Sequence, residues 1–559
     1  MRKLLLTTFA ISTLALSINA QNLEWAGNMG GASSDEAKSL TVDASGNTYT
    51  TGYFKDIADL DPAAATMNFT SNGEQDIYIQ KLNADGELIW AKQMGGTGTD
   101  EGKSIAVDNS GNVYTTGYFE GTVDFDPNAG TTDLTAIGGS DIYIQKLNSD
   151  GDLLWVKQMG GGSLDGGNAI AVDGLGNVHT TGIFTGTIDF DPGAGSFDLG
   201  PTGFTDVFIQ KLDTDGDFIW AVSMGSSSYD YGNAIFVDAS SNVYSTGYFV
   251  GTVDFDPGAG DLSLTSNGGN DIYVQKLDGD GILIWAKSFG GIENDIASGI
   301  AVDGSGNTLI TGYYYGTVDF DPGAGITDLT ALGNTDVFVQ KLDDSGDLVW
   351  VKNLGGANWE FSYDVTTDAA GNVYTVGSYD GDIDADPGAG TVNLYPVGGY
   401  DNFIHKMNAD GEYVWAVSVG GDLGDLIYSI HVDASANVYA SGYFSGTAEF
   451  DPGAGSTELT STGTDLRDMF VLKMSQDIDD ASVGSNDPVQ FSFYPNPATT
   501  ELTVVSEQKI NSIIIYDLYG AIVQSENVTS FSIANLAVGI YIITVKTDQG
   551  SRQTRFVKQ

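Results

Sequence analysis

The chain of 559 residues contains no cysteine. That absence excludes disulfide bonds, thiol nucleophiles, cysteine–zinc sites and iron–sulfur clusters. Proline is scarce at 12 residues while glycine is abundant at 75, a balance that suits many tight turns between short strands. Basic residues are few: 22 Lys and Arg stand against 75 Asp and Glu, a net charge of −53. Five acids and five bases lie from Pro488 onward and two bases lie in the first 20 residues, so residues 21–487 hold 70 acids against 15 bases. A surface this acidic repels nucleic acid and anionic membranes, and it favours solubility and cation binding. Beyond the first 20 residues no apolar run approaches the roughly 18 residues that a membrane span needs.

Those first residues read as a secretory signal. Arg2 and Lys3 form a basic start, Leu4 to Ile18 is apolar, and Asn19-Ala20 ends with a small residue before Gln21. Residues 1–20 are therefore expected to be removed, leaving an exported, soluble protein with no transmembrane segment, expected to be a monomer.

What is present is a repeat. Trp25, Trp90, Trp155, Trp220, Trp285, Trp350 and Trp415 are spaced by 65 residues, and only Trp359 falls outside the series. Asp43 and Gly52 begin two further series with the same step, ending at Asp433 and Gly442. One cycle contains four strand-like runs, Ser104–Asp108, Val113–Phe119, Asp141–Leu147 and Leu153–Met159, rich in β-branched and aromatic residues. Asn109-Ser-Gly-Asn112 joins the first two, and Asn148-Ser-Asp-Gly151 joins the last two, as hairpin turns that need positive φ would require. No segment shows helical periodicity. Four antiparallel strands per cycle and seven cycles predict an all-β fold, a seven-bladed β-propeller spanning residues 21–475. The phase of the repeat adds a detail. Leu23-Glu-Trp-Ala26 matches a fourth strand and Met469–Met474 a third, so the N-terminal strand is expected to complete the last blade and close the ring. The tryptophan is expected to pack between neighbouring outer strands.

The stretch Ala106-Val-Asp-Asn-Ser-Gly-Asn-Val-Tyr-Thr-Thr-Gly117 resembles the core of the bacterial seven-bladed β-propeller repeat. The resemblance covers roughly residues 22–475 and implies a fold, with no particular activity. After a polar linker at 476–488, residues 489–559 lose the repeat and show short strand-like runs, a small C-terminal β-sandwich pattern. This segment resembles the C-terminal sorting domain of the type IX secretion system. The matching pieces are Tyr494-Pro495-Asn496-Pro497, Ile513–Gly520, Gly539-Ile-Tyr541 and the basic end at Lys558. The resemblance implies engagement of the type IX secretion machinery through residues 489–559 and passage from the periplasm to the exterior or the outer cell surface.

Chemistry is harder to place. In a propeller the loop between the second and third strands shares a face with the connection between blades. That loop carries two acids per blade: Asp59 and Asp61, Asp124 and Asp126, Asp189 and Asp191, Asp254 and Asp256, Asp319 and Asp321, Asp384 and Asp386, Glu449 and Asp451. The inter-blade connection adds Asp35, Asp100, Asp165, Asp230, Asp295, Glu360 and Asp425. An Asp-x-Asp loop with nearby carbonyls suits calcium. The competing account is that these carboxylates cap turns through backbone N–H groups. Each third strand also holds a lysine, from Lys81 to Lys473, for which an ion pair with a neighbouring blade's acid is expected.

Catalytic sites usually break a repeat's symmetry. His179, His405 and His431 are exceptions with no shared motif, and strand packing is the expected role. Trp359 and Phe361 replace small or acidic residues and offer an aromatic platform of the kind that sugar-binding surfaces use. No nucleophile elbow, phosphate loop, zinc helix or glycosidase signature occurs. The sequence thus favours an exported or surface propeller scaffold that binds a glycan, protein or cation. A secreted polysaccharide hydrolase or lyase and an inert structural component are the alternatives.

Overall fold

A computed structural model describes residues 21–476 except 64, 454 and 464–466, and, nearer the C-terminus, 491–494, 500–506, 509–516, 522–526, 528–537, 539–547 and 550–558. The signal segment, positions 477–488 of the linker, and Pro495, Asn496 and Pro497 lie outside the described residues. The chain divides into two compact units, Met1–Gln476 and Asp477–Gln559. Every regular element among the described residues is a strand, and no helix is long and apolar enough to cross a membrane.

The first unit repeats a set of four antiparallel strands; four of these sets stand as four-stranded sheets and three are extended to six strands by a short hairpin. Blade 1 runs Glu36–Val42, Thr48–Phe54, Asp76–Leu82 and Leu88–Met94. The pattern recurs through blade 6, Trp359–Thr367, Val373–Asp380, Asp401–Met407 and Tyr413–Gly421. Blade 7 has Leu426–Val432, Val438–Ser445 and Arg467–Gln476, and takes its fourth strand, Gln21–Gly31, from the other end of the chain. Asn28 stands opposite Phe470 and Trp25 opposite Lys473, the closure that the phase of the repeat predicts. Gln476, the first residue of the expected linker, instead ends this last strand.

First strands of successive blades pack on one another and are stitched by hydrogen bonds. Ile105 N–H donates to Ser39 Oγ at 3.3 Å and Ile170 N–H to Ser104 Oγ at 3.2 Å. Leu40 N–H of blade 1 donates to Ser429 Oγ of blade 7 at 3.3 Å, so the ring is closed with the first strands innermost. The core lies between blades. Tyr49, Ile77, Ile79 and Met94 of blade 1 pack with Ile105, Val113, Phe119 and Tyr143 of blade 2 in one buried cluster. A blade cannot bury both faces alone, so each depends on its neighbours.

The 65-residue tryptophan step has a specific cause. Trp90 Nε1 donates to the carbonyl of Ser149 in the next blade's third-to-fourth turn at 3.1 Å. Trp25, Trp155, Trp220, Trp285 and Trp350 repeat the bond at 3.0 to 3.2 Å. The third-strand lysines reach the same turns, which corrects the expected ion pairing. Lys81, Lys146, Lys211, Lys341 and Lys473 donate to main-chain carbonyls at 2.9 to 3.3 Å. Among the described residues Lys276 alone pairs with an acid of the next blade, Asp344, while Lys341 and Lys211 also meet acids of their own blades, Asp303 at 2.8 Å and Asp173 at 4.0 Å. Of the seven third-strand ammonium groups, those of Lys81, Lys146, Lys276, Lys406 and Lys473 also sit 4.9 to 5.4 Å from the ring centre of a tyrosine in their own blade. Blade 7 has no turn of its own at this place. There Gln476 Oε1 accepts from Lys406 Nζ at 2.7 Å and Trp415 Nε1 at 3.3 Å, a side chain standing in for a carbonyl.

The long loop between second and third strands holds a small hairpin that the sequence reading left as loop. In blade 1, Ile57–Asp59 pairs with Asn68–Thr70 and also with the end of the preceding fourth strand, Gly30 opposite Asp59. Beside it sit two buried acids per blade junction. Asp100 accepts from Gly96 N–H at 2.7 Å and Glu120 N–H at 2.9 Å, and so clips blade 1 to blade 2. Asp76, at the head of the third strand, accepts from Asn72 N–H at 3.0 Å and Gln93 Nε2 at 2.7 Å. Burial and the mutual repulsion of such pairs raise these carboxyls: Asp35 and Glu360 to about 8, Asp425 and Asp271 to about 7, and Asp100, Asp165, Asp295, Asp401 and Asp468 to about 6.

The second unit packs a three-stranded sheet, Phe491–Tyr494, Glu501–Ser506 and Ser530–Ser532, against a four-stranded one, Ile522–Glu526, Ile510–Tyr516, Gly539–Thr547 and Gly550–Lys558. Leu502, Val504 and Phe531 from one sheet meet Ile513, Ile515, Tyr541, Ile543 and Val545 from the other, which is the expected β-sandwich.

Candidate functional site

Features repeated seven times serve the scaffold. The Asp-x-Asp acids are of this kind. Asp59 accepts N–H bonds from Asp61 at 3.1 Å and Met67 at 2.8 Å, and Asp61 accepts one from Ala63 at 2.9 Å. Glu449 and Asp451 keep the pattern in the last blade, with donors Asp451, Thr457 and Gly453 at 2.6 to 2.9 Å. Among the described residues no three acids or histidines come close enough to hold a metal ion. The inter-blade acids do not join these on the surface, as expected from sequence, because each is buried in its clip. The opposite face carries a shallow polar recess lined by Asp108, Asn112, Asp173, Leu175 and Thr214, built from the same turns in every blade.

Three histidines, His179, His405 and His431, substitute for repeat residues. His179 takes the place of the tyrosine whose hydroxyl meets a turn aspartate, as Tyr49 meets Asp43 at 3.0 Å, and its Nε2 lies 3.6 Å from Asp173. His405 Nε2 donates to Ala385 O at 2.8 Å, where Gln145 Nε2 donates to Phe125 O. Burial holds His405 and His431 down at about 4.

The blades differ at the inner rim of the face that carries the inter-blade connections. Each first strand has a β-bulge near its start, at Lys38 in blade 1 and Tyr363 in blade 6. Residues two apart at this point, such as Glu36 and Lys38, share one side of the strand. Opposite them stands the end of the second strand, Tyr53 against Glu36. Four positions per blade thus meet at the rim, and they fall into sectors. Blades 1 and 2 present Glu36, Lys38, Tyr53 and Lys55, then Glu101, Lys103, Tyr118 and Glu120. Blades 3 and 4 present Gly166 and Asn168, then Tyr231, Asn233 and Tyr248. Blades 5 and 6 present Ile296, Ser298, Tyr313 and Tyr315, then Phe361, Tyr363, Ser378 and Asp380, flanked by Trp359 and Tyr400.

The aromatic sector is one connected wall. Tyr313 meets Phe361 edge-on at 4.8 Å, Tyr315 meets Trp359 at 6.1 Å, Trp359 stacks near Phe361 at 6.2 Å, and Phe361 meets Tyr400 at 6.2 Å. Trp359, Phe361, Tyr313, Tyr315 and Tyr400 are all half-buried, with ring surface left in contact with solvent. Tyr363 and Tyr428, 5.4 Å apart, carry the wall into blade 7. There Tyr428 hydroxyl donates to Glu36 at 3.1 Å and Lys38 Nζ lies 4.1 Å over the Tyr428 ring.

The charged sector is tied together from below. Lys38 bridges Glu36 and, at 3.8 Å, Glu101; Lys103 meets Glu101 at 2.8 Å; Arg467 meets Glu36. Tyr118 hydroxyl donates to Glu101 at 2.8 Å. Burial alone would raise Glu36, but the Lys38 and Arg467 charges outweigh it and hold this carboxyl at about 2. Sequence reading found only Trp359 and Phe361 of this rim. Comparing the four rim positions blade by blade would have exposed the rest.

In the C-terminal unit, Tyr541 is largely buried and its hydroxyl donates to Ala537 O at 3.0 Å; Gly539 pairs with Lys558, whose side chain is buried. Tyr494 pairs with Thr503.

Residues 492–559 match the family model of a secretion system C-terminal sorting domain, and residues 89–118 match that of a beta-propeller repeat. An uncharacterized WD repeat-containing protein of Acanthamoeba polyphaga mimivirus is 24% identical over 472 residues, 70% of this chain and 34% of that protein. Regulatory protein FlaEY of Caulobacter vibrioides is 27% identical over 229 residues, 40% of this chain and 23% of that protein. The chain therefore spans about a third and a quarter of these relatives' lengths. Among solved structures, a protein of unknown function from Bacteroides caccae aligns over 61% of this chain and 89% of its own at 11% identity, with a TM-score of 0.30.

Proposed function

We propose that this protein, a β-propeller repeat protein whose type IX sorting domain places it outside the cell or on its surface, is a non-enzymatic binding protein that holds a carbohydrate on its inner rim. The observation that carries this reading is the connected wall of Tyr313, Tyr315, Trp359, Phe361 and Tyr400, present at one sector of a ring otherwise built to repeat. Half-exposed aromatic rings pack against the apolar faces of sugar rings, while nearby charged and amide groups bond hydroxyls. Asn168, Asn233, Glu101 and Lys103 stand on the same rim to do so.

Binding without turnover is the simpler reading of the acids. Glycosidic cleavage commonly needs one carboxylic acid kept protonated near neutral pH beside an ionised partner. On the rim, Glu36 is held ionised by Lys38 and Arg467. Of the carboxyls that are raised, Asp35 is buried with both oxygens accepting backbone N–H groups, and Glu360 is buried with one oxygen accepting from Gly356 N–H.

The test is a polysaccharide panel read with the full-length secreted protein, its Trp359→Ala and its Phe361→Ala variants. Binding to at least one glycan is expected, weakened about tenfold or more in each variant with an unchanged melting temperature. Release of reducing ends would replace this reading with a hydrolase. Inertness across the panel would leave a structural role.

A further inference from the structure

We propose that the bound carbohydrate is anionic, a polysaccharide carrying carboxylate or sulfate groups, with those groups seated over Lys38, Lys55, Lys103 and Arg467 beside the aromatic wall. This rests on the carbohydrate reading of the same rim and adds its charge and orientation.

The argument starts from the scarcity of bases. Residues 21–487 hold 15 of them. Seven are the third-strand lysines that bond the next blade, and four, Lys92, Lys157, Lys287 and Lys352, share one position on fourth strands. The remaining four are Lys38, Lys55, Lys103 and Arg467. Every base outside the two repeated positions therefore lies on the rim of three consecutive blades, 7, 1 and 2.

Their arrangement is layered. The carboxylates lie underneath: the Glu36 side chain is 2% exposed and that of Glu101 is 7% exposed. The bases lie above, with side chains 31% exposed at Lys103 and 45% at Arg467. Each base sits over a tyrosine, Lys38 over Tyr428 at 4.1 Å, Arg467 over Tyr443 at 4.3 Å, Lys103 over Tyr118 at 5.5 Å and Lys55 over Tyr53 at 5.9 Å. The buried acids and rings fix the cationic groups in place, and a ligand arriving from solvent meets the cations first. Among the described residues no carboxylate comes within 4.0 Å of the Lys55 ammonium. The nearby Asp56 and Glu120 bond the inter-blade connections, accepting from Ser33 Oγ and Thr99 N–H. A body with so strong a negative charge repels anionic polymers everywhere else, so a preorganised cationic layer here selects for them at one place and sets the direction of the chain.

Calorimetric titration of the full-length protein would compare polygalacturonate with its carboxyl-reduced, uncharged counterpart, and dextran sulfate with dextran. An acidic polymer should bind at least about tenfold tighter than its uncharged partner, and raising salt from about 50 to 300 mM should weaken it. Lys55→Gln should lower that affinity and flatten its salt dependence with melting temperature unchanged, and Lys103→Gln should do the same with a small loss of melting temperature, since Glu101 loses its nearest counter-charge. Which acidic polymer wins distinguishes carboxylate from sulfate. Equal binding of charged and uncharged polymers, still lost in Trp359→Ala, would overturn the charge assignment and leave the carbohydrate reading standing. Failure of every polymer would overturn both.

Discussion

Replacing Trp285 by phenylalanine isolates the bond that sets the repeat length. Trp285 is 9% exposed, and its indole N–H donates to Asp344 O of the next blade at 3.0 Å. Losing that bond costs about 1 kcal/mol net. The smaller ring gives up roughly 40 Å² of buried apolar surface, about another 1 kcal/mol. At roughly 2 cal/mol/K of unfolding entropy per residue, a propeller of this size should lose about 2 °C in melting temperature. Trp285→Ala, which leaves a cavity as well, should cost about 3 to 5 kcal/mol and shift the melting temperature by about 3 to 5 °C. Two comparisons sharpen the assay, differential scanning calorimetry of the full-length protein. Trp415→Phe should cost less, because its acceptor is the Gln476 side chain, which keeps its bond to Lys406. Trp359→Phe, outside the series and with no inter-blade carbonyl to meet, should leave stability nearly unchanged. If Trp285→Phe melts with the wild type, or if Trp359→Phe falls as far, the inter-blade indole bond is not what the repeat preserves.

Further outcomes follow from the same contacts. The nine buried acids Asp35, Asp100, Asp165, Asp271, Asp295, Glu360, Asp401, Asp425 and Asp468 have folded-state values raised to about 6 to 8, so the folded chain holds protons that the unfolded chain has released. That stability is complete near pH 4 and is lost as pH rises through 8. The turn aspartates Asp43, Asp108 and Asp238 and the rim Glu36 are shifted the other way and lose their contribution below about pH 4. Melting temperature should therefore peak near pH 5 and decline toward pH 8; a flat or rising profile would refute the clips. Deleting residues 21–31 removes the strand paired with Arg467–Gln476 and should yield an open-edged, aggregating protein on size-exclusion chromatography, whereas a stable monomer would contradict the closure. Millimolar calcium should shift the melting temperature by no more than about 1 °C, since the Asp-x-Asp oxygens already accept backbone N–H bonds; a rise of several degrees would show that they bind it.

The ring was legible because the repeat is strict. The tryptophan step gives seven sheets, and the phase gives the pairing of Asn28 with Phe470. Other parts were hidden for physical reasons. The Asp-x-Asp-Pro loop reads as a turn, yet its flanks pair into a short hairpin, which stands alone at Thr252–Asp254 with Ser263–Thr265 and in blade 1 also meets the preceding fourth strand at Gly30. The lysines suggested ion pairs in so acidic a chain, but the turn carbonyl and the tyrosine ring were nearer. The Asp76 series shares the 65-residue step through Asp401, and its burial depends on a third strand covered on both faces. The rim is assembled from four positions scattered through each cycle, so only its two most unusual residues, Trp359 and Phe361, stood out.

The central claim is that ligand sits on this rim. Hydrogen–deuterium exchange of the protein with and without a saturating acidic polysaccharide tests it directly. Protection is expected in the segments around 313–315, 359–363 and 36–38, and nowhere on the opposite face. Protection confined to the Asp-x-Asp loops, to the recess around Asp108 and Asp173, or to the C-terminal unit would contradict the account.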